Sequence, residues 1–302
     1  MTRGVRGLIL AVALLSCGGS PSDPGEGLFD GEGVLGEWVR AQLRTRTYQL
    51  HVPSGGPPPS GYPVVMTLHG AGGNGASMRG ALGLDALADA RGFVAVYPDG
   101  VQASWAFGCG DCSPAERAGV NDAYFLNTLL EHLSDHLSLD LSQIYLVGFS
   151  QGGMLAGYAG CRSLFPVAGI GLVAATVVRP VLEWCDPDPP LSVVQIHGTA
   201  DGQLPWNGLG QETPWPGVEE VSESFRGAAG CDPEPATEDL PQGAGELLRY
   251  SGCGPGGGVA LYRLEGGGHN WPLDGAGLGL PPFVVGVSAT DVLVREFFGE
   301  PS

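Results

Sequence analysis

Short apolar runs alternate along this chain with segments of helical apolar spacing, and few folds accommodate that rhythm. Tyr62 to Leu68, Phe93 to Tyr97, Gln143 to Val147, Val167 to Ala174, Leu191 to His197 and Val259 to Leu264 read as buried strands, and Leu43 to Val52 alternates enough for an edge strand. Between them, Met78 to Arg91, Gly152 to Gly160, Val218 to Ala229 and Ser288 to Phe298 read as helices, and Ala115 to Leu137 contains a long one. Strand and helix in turn predict an α/β chain, with a mostly parallel central sheet and helices on both faces. The 302 residues are ample for one such domain, and no internal repeat divides it. The loops Gly202 to Gly217 and Gly266 to Pro282 follow strands. Ligand sites gather at that end of parallel strands.

One turn carries chemistry. Gly148-Phe149-Ser150-Gln151-Gly152 fits G-x-S-x-G, with the apolar Ile144 to Val147 before it and Gly153-Met154-Leu155-Ala156 after it. Strand, turn and helix in that order are what a nucleophile elbow requires, and they point to an α/β-hydrolase fold. The bare pattern is weak in a chain with 52 glycines; its setting raises it.

A serine hydroxyl attacks only when a base takes its proton, and the base needs an acid to orient it. In this fold the chain order is Ser, then Asp or Glu, then His. Among the histidines at 51, 69, 132, 136, 197 and 269, only His269 lies beyond the candidate acid Asp201. Asp201 follows the strand ending at His197, whereas Asp186 and Asp188 precede that strand and Glu212 lies deeper in a Pro/Gly-rich loop. The expected catalytic set is therefore Ser150, Asp201 and His269. An oxyanion needs backbone N–H donors. Gln151, next to the nucleophile, supplies one, and Ala71 in the loop His69-Gly70-Ala71-Gly72-Gly73-Asn74 is assigned the other. A phosphate-binding reading of that loop is poor, because it lacks the Lys and Ser/Thr of a P-loop.

At these residues the chain resembles the polyhydroxybutyrate depolymerase and feruloyl esterase group of secreted α/β-hydrolases. The resemblance rests on Leu68 to Asn74, Tyr97-Pro98-Asp99-Gly100, Gly148 to Gly152, Ile196-His197-Gly198-Thr199-Ala200-Asp201 and Gly267-Gly268-His269-Asn270-Trp271-Pro272. It spans about Leu43 to Phe298. It implies a serine carboxylic-ester hydrolase working through an acyl-enzyme, without metal or cofactor. The implied substrates are hydroxyalkanoate, feruloyl or acetyl-polysaccharide esters. This chain departs from many relatives in having Ala71 where they carry cysteine or a bulkier residue, and Leu273 where they carry glycine. Trp271, two residues from the base, is expected to wall the acyl pocket, with Trp105 lining the same cleft. Trp206 and Trp215 are candidates for a partial lid.

The N-terminus reads as a targeting segment. Arg3 and Arg6 precede the apolar run Leu8 to Leu15, which ends in Leu14-Leu15-Ser16-Cys17. That sequence resembles a bacterial lipoprotein processing site, so residues 1–17 are expected to be a signal segment, Cys17 lipidated, 18–42 a flexible tether and N-terminal segment, and 43–302 the catalytic domain. Ordinary signal cleavage and free secretion is the alternative. Either way the expected location is extracytoplasmic, with any membrane contact made through the lipid alone. Setting Cys17 aside leaves six cysteines, an even number suited to an oxidising compartment. Cys109 with Cys112, Cys161 with Cys185 and Cys231 with Cys253 are the proposed pairs. A redox or zinc role for Cys109 and Cys112 is the rival reading, although no second close pair completes a four-cysteine site.

The net charge of −18 argues against a nucleic-acid partner, whose phosphates need clustered Lys and Arg. Two rival functions stay open on sequence alone. A serine peptidase would use the same machinery with a different pocket, and a surface polysaccharide-binding protein would carry the site in degenerate form.

Overall fold

The computed structural model describes residues 31–34, 46–162 and 165–300. The expected signal segment at 1–17, with Cys17, lies outside the described residues, as does the expected tether and N-terminal segment at 18–42 apart from 31–34. In chain order the first half runs β1 (Gly31–Val34), β2 (Thr47–His51), β3 (Tyr62–Leu68), α1 (Gly75–Leu82), α2 (Leu84–Arg91), β4 (Val94–Pro98), α3 (Pro114–Arg117), α4 (Asp122–Ser134) and β5 (Leu139–Phe149). The second runs α5 (Gln151–Arg162), β6 (Gly169–Val173), α6 (Arg179–Leu182), β7 (Ser192–Gly198), α7 (Val218–Ala228), β8 (Ala236–Asp239), β9 (Gly245–Tyr250), β10 (Gly258–Leu264), β11 (Asn270–Pro272), β12 (Gly277–Gly279) and α8 (Ala289–Phe298).

Among the described residues, ten strands form one sheet in the order β1-β2-β4-β3-β5-β6-β7-β10-β9-β8. From β4 to β10 the neighbours are parallel, and both ends finish in antiparallel strands. The predicted mostly parallel sheet with helices on both faces is what forms. All seven residues of β3 are buried, as a strand covered on both faces must be. Val64, Met66 and Leu68 join a core with α4, α5 and α7, while Val65 joins the opposite core with α1, α2 and α8. Each large apolar side chain buried this way contributes about 1.5–3 kcal/mol.

The structure corrects several expected boundaries. The helix expected over Met78 to Arg91 is two, because Gly83 takes a φ of 66° and closes α1 in the left-handed conformation. The long helix expected within Ala115 to Leu137 forms as α4, where Asn121 caps it by accepting from Tyr124 N–H. The strand expected from Leu43 is described from Thr47, and it is not the edge, since β1 lies outside it. β8 and β9 are additions to the expected strands. Every residue of β8 is exposed, so it has no apolar alternation to read.

The chain moves from β3 to β4 on one side and then to β5 on the other. The crevice at the carboxyl ends of β3 and β5 is thus the topological switch point, where this architecture binds ligands.

Candidate active site

Ser150 stands at that crevice, between β5 and α5. Its φ is 51°, a left-handed conformation that a serine adopts only where its surroundings impose it. The Ser150 N–H donates to Val173 O, continuing the sheet, and its carbonyl accepts from Met154 N–H, starting the helix. The flanking glycines are steric requirements. A Cβ on Gly148 would lie 2.1 Å from the carbonyl carbon of Gly152, and one on Gly152 would lie 2.2 Å from Leu68 O. Strand and helix can therefore meet closely enough to lift the hydroxyl out of the turn.

Two loops from neighbouring strands bring their side chains to it. His269 Nε2 lies 2.9 Å from Ser150 Oγ, and its Nδ1 lies 2.7 Å from Asp201 Oδ2. A carboxylate accepts only, so Nδ1 carries the proton and the Nε2 lone pair faces the serine hydroxyl. Asp201 and His269 are both buried. Burial alone would raise the Asp201 carboxyl. Hydrogen bonds from His197, His269 and the Leu204 N–H outweigh that and hold it well below the usual carboxylate range. Its other oxygen accepts from the Gln203 and Leu204 N–H groups, each at 2.8 Å. The loop bearing His269 is set by Asn270, whose side chain donates to the carbonyls of Leu280 and Pro282, and it continues into the β11–β12 hairpin.

The loop after β3 flanks the elbow from the other side, since Leu68 pairs with Gly148 in register. Gln151 opens α5, so its N–H is one of the first-turn donors that no carbonyl of the helix can take. Among the described residues no backbone carbonyl takes the Ala71 N–H either. The loop is tied down at its neighbours. Gly72 N–H donates to Ala103 O, His69 Nδ1 donates to Gly70 O at 2.8 Å, and Gly100 N–H donates to His69 Nε2 at 2.9 Å. These bonds use both ring nitrogens of a neutral imidazole. Burial pushes His69 below the ordinary histidine value, against the opposing pull of the Gly70 carbonyl and Asp99.

The expected pocket tryptophans are placed differently. Trp271 is 1% exposed and donates its indole N–H to Thr290 Oγ1 on α8, so it is core beneath the site and not a wall of the cleft. Trp105 is fully buried and donates to His69 O. It supports the loop from behind and has no surface to offer a ligand. Trp206 packs between His197 and the Arg263 guanidinium, and Trp215 faces Phe107. Sequence reasoning misses His69, His197 and the side chain of Gln151, which accepts from Trp105 N–H at 2.9 Å. The available signal is their place inside the motifs carrying Ala71, Asp201 and Ser150.

Three disulfides join Cys109 to Cys112, Cys161 to Cys185 and Cys231 to Cys253. The Cys109 loop is further held by Glu116, which accepts from the N–H groups of Phe107, Gly108 and Cys109. A cavity of about 780 Å³ opens near the amino ends of β6 and β7, lined by Ala168, Pro190, Ser192 and Phe297, at the opposite end of the sheet from Ser150.

Residues 46–181 match the family described as Esterase PHB depolymerase. "Putative esterase NocK" of Nocardia uniformis subsp. tsuyamanensis is 33% identical over 268 residues, covering 82% of this chain and 76% of its own. Feruloyl esterase C of Emericella nidulans is 28% identical over 250 residues, covering 80% and 82%. Among solved structures, an acetyl xylan esterase from Aspergillus awamori superposes with a TM-score of 0.60 at 14% identity, over 88% of this chain and 98% of that one. Thermogutta terrifontis esterase 2 gives 0.56 at 16% identity, over 89% and 95%. Likeness at such identity speaks for the fold alone, and the fold is that of the α/β-hydrolases.

Proposed function

The chain belongs to the PHB depolymerase family of esterases, and from that premise we propose that Ser150, His269 and Asp201 are its catalytic triad. The observation that carries the reading is the unbroken line Ser150 Oγ, His269 Nε2, His269 Nδ1 and Asp201 Oδ2, with steps of 2.9 and 2.7 Å. In the first half-reaction His269 takes the hydroxyl proton as Ser150 Oγ bonds to the ester carbonyl carbon. The Ala71 and Gln151 N–H groups hold the oxyanion, and Asp201 stabilises the imidazolium. His269 then protonates the alcohol as the ester C–O bond breaks, leaving an acyl-serine. Water, deprotonated by His269, attacks that acyl group, and Ser150 regains its proton as the carboxylic acid departs.

The substrates proposed are feruloyl, acetyl-polysaccharide and hydroxyalkanoate esters. The first two are supported by relatives named feruloyl esterase C and bifunctional acetylxylan esterase/xylanase, the third by the family description. An extracytoplasmic location, with Cys17 as the lipidated residue, is part of the proposal. Three disulfides support the location, since such bonds persist in oxidising compartments.

The test is hydrolysis of methyl ferulate, acetylated xylan, a hydroxybutyrate oligomer and p-nitrophenyl acetate by wild type and Ser150→Ala. A loss of at least about a thousandfold in the folded variant is expected, together with loss of fluorophosphonate labelling. A folded Ser150→Ala that turns over at the wild-type rate rejects the triad.

A further inference from the structure

His197 is the second histidine on the Asp201 carboxylate. It lies in β7 with its side chain fully buried, and its Nε2 is 2.8 Å from Leu204 O and 3.3 Å from Asp201 Oδ2. Both neighbours accept hydrogen bonds, so Nε2 carries the ring proton. Its Nδ1 is buried without a partner among the described residues. An unpaired buried nitrogen is unfavourable, and a phenyl ring would fill the same space without it. The imidazole therefore earns its place through the proton on the opposite nitrogen.

That proton closes a small cycle. Leu204 donates its N–H to Asp201 Oδ1 and offers its carbonyl to His197, while His197 also approaches Oδ2. The carboxylate is thus held through both oxygens, Oδ1 by Leu204 and Oδ2 by His197 beside His269, with Trp206 edge-on to the His197 ring. We propose that His197 is a positioning residue, whose Nε2–H fixes the plane of the Asp201 carboxylate so that Oδ2 meets His269 Nδ1. The inference rests on the triad assignment above and deepens it. His197 does not touch the reacting atoms and acts through Asp201.

The experiment uses the full chain and a chromogenic ester. His197→Phe is expected to lower kcat about tenfold, the scale of one hydrogen bond to a charged group, with KM unchanged. It is also expected to move the downfield proton resonance of the His269 Nδ1–H bond to Asp201. His197→Gln, whose amide N–H reaches toward the same acceptors, is expected to recover most of both. An unchanged kcat and resonance in His197→Phe overturns the proposal, as does a His197→Gln no better than His197→Phe. If His197→Phe does not fold, ¹⁵N-histidine spectra of the wild type decide. An Nε2–H tautomer at His197 supports the role, and an Nδ1–H tautomer ends it. Ser150→Ala in the same assay separates the two claims. Its undiminished turnover would remove the triad itself, whereas an inactive Ser150→Ala beside a fully active His197→Phe removes only the positioning role.

Discussion

Trp105 donates its indole N–H to the carbonyl oxygen of His69 at 2.8 Å, joining the loop after β4 to the end of β3. The same residue's backbone N–H donates to the Gln151 side chain at 2.9 Å, so one buried tryptophan reaches both segments proposed to supply the oxyanion donors. Trp105→Phe removes the indole nitrogen and leaves the His69 carbonyl buried without that donor, a cost of about 1–3 kcal/mol. The expected result is a lower thermal midpoint and a kcat that falls by more than KM changes. Thermal melts and ester kinetics check it; a variant with wild-type kcat would show that the bond does not support the donors.

Glycine tolerance should differ sharply along the chain. Gly148→Ala places a methyl group 2.1 Å from backbone at the elbow, and is expected to destabilise by more than about 3 kcal/mol or to prevent folding. Gly80, inside α1, has open space within 4 Å of where a methyl group would sit, so Gly80→Ala is expected to stabilise by about 0.5–1 kcal/mol. Urea denaturation of the pair reads both signs.

Glu296 accepts from both terminal nitrogens of Arg249 and from the Tyr262 hydroxyl. Burial alone would raise its carboxyl, but those partners hold it below the usual range. A carboxyl lowered by folding adds stability above its unfolded value, near about 4.3. That contribution is lost as the pH falls toward the folded value. Glu296→Gln should therefore be less stable than wild type at neutral pH, and the gap should narrow under acid. A gap in urea midpoint that stays constant with pH would contradict this.

The Cys161–Cys185 bond ties the end of α5, the helix that begins beside Ser150, to the segment after α6 across 24 residues. Closing a loop of that size constrains the unfolded chain by about 3 kcal/mol. The double variant Cys161→Ala, Cys185→Ala is expected to lose about that much in urea titrations while retaining ester turnover at ambient temperature. Loss of turnover without loss of stability would instead assign the bond a part in the site.

The proposed triad of Ser150, Asp201 and His269 is legible because each follows a buried apolar run, and the order of the three along the chain is the one this fold uses. Trp271 is misjudged from sequence because nearness to His269 along the chain does not say which way a side chain turns; Thr290, on a helix far along the chain, offers its indole a partner in the core. His197 reads as one more member of a buried strand until the turn at Asp201 folds back upon it. β8 escapes because its four residues all face solvent, so no apolar alternation marks it, although it pairs with the next strand β9.

Beyond Gln203 and Leu204, which bond the Asp201 carboxylate, the long loop is stitched down away from the proposed triad. Arg179 donates to Gly210 O and Thr213 O and pairs with Glu220, so the 210–213 stretch hangs from α6 and α7. Ser150, Asp201 and His269 hang instead from the ends of β5, β7 and β10. Inheritance can act on these attachments separately. A lineage can rewrite what the loop greets while the hydrolytic apparatus passes down unaltered, and descendants of one ancestor can come to prefer different esters without inventing the reaction anew.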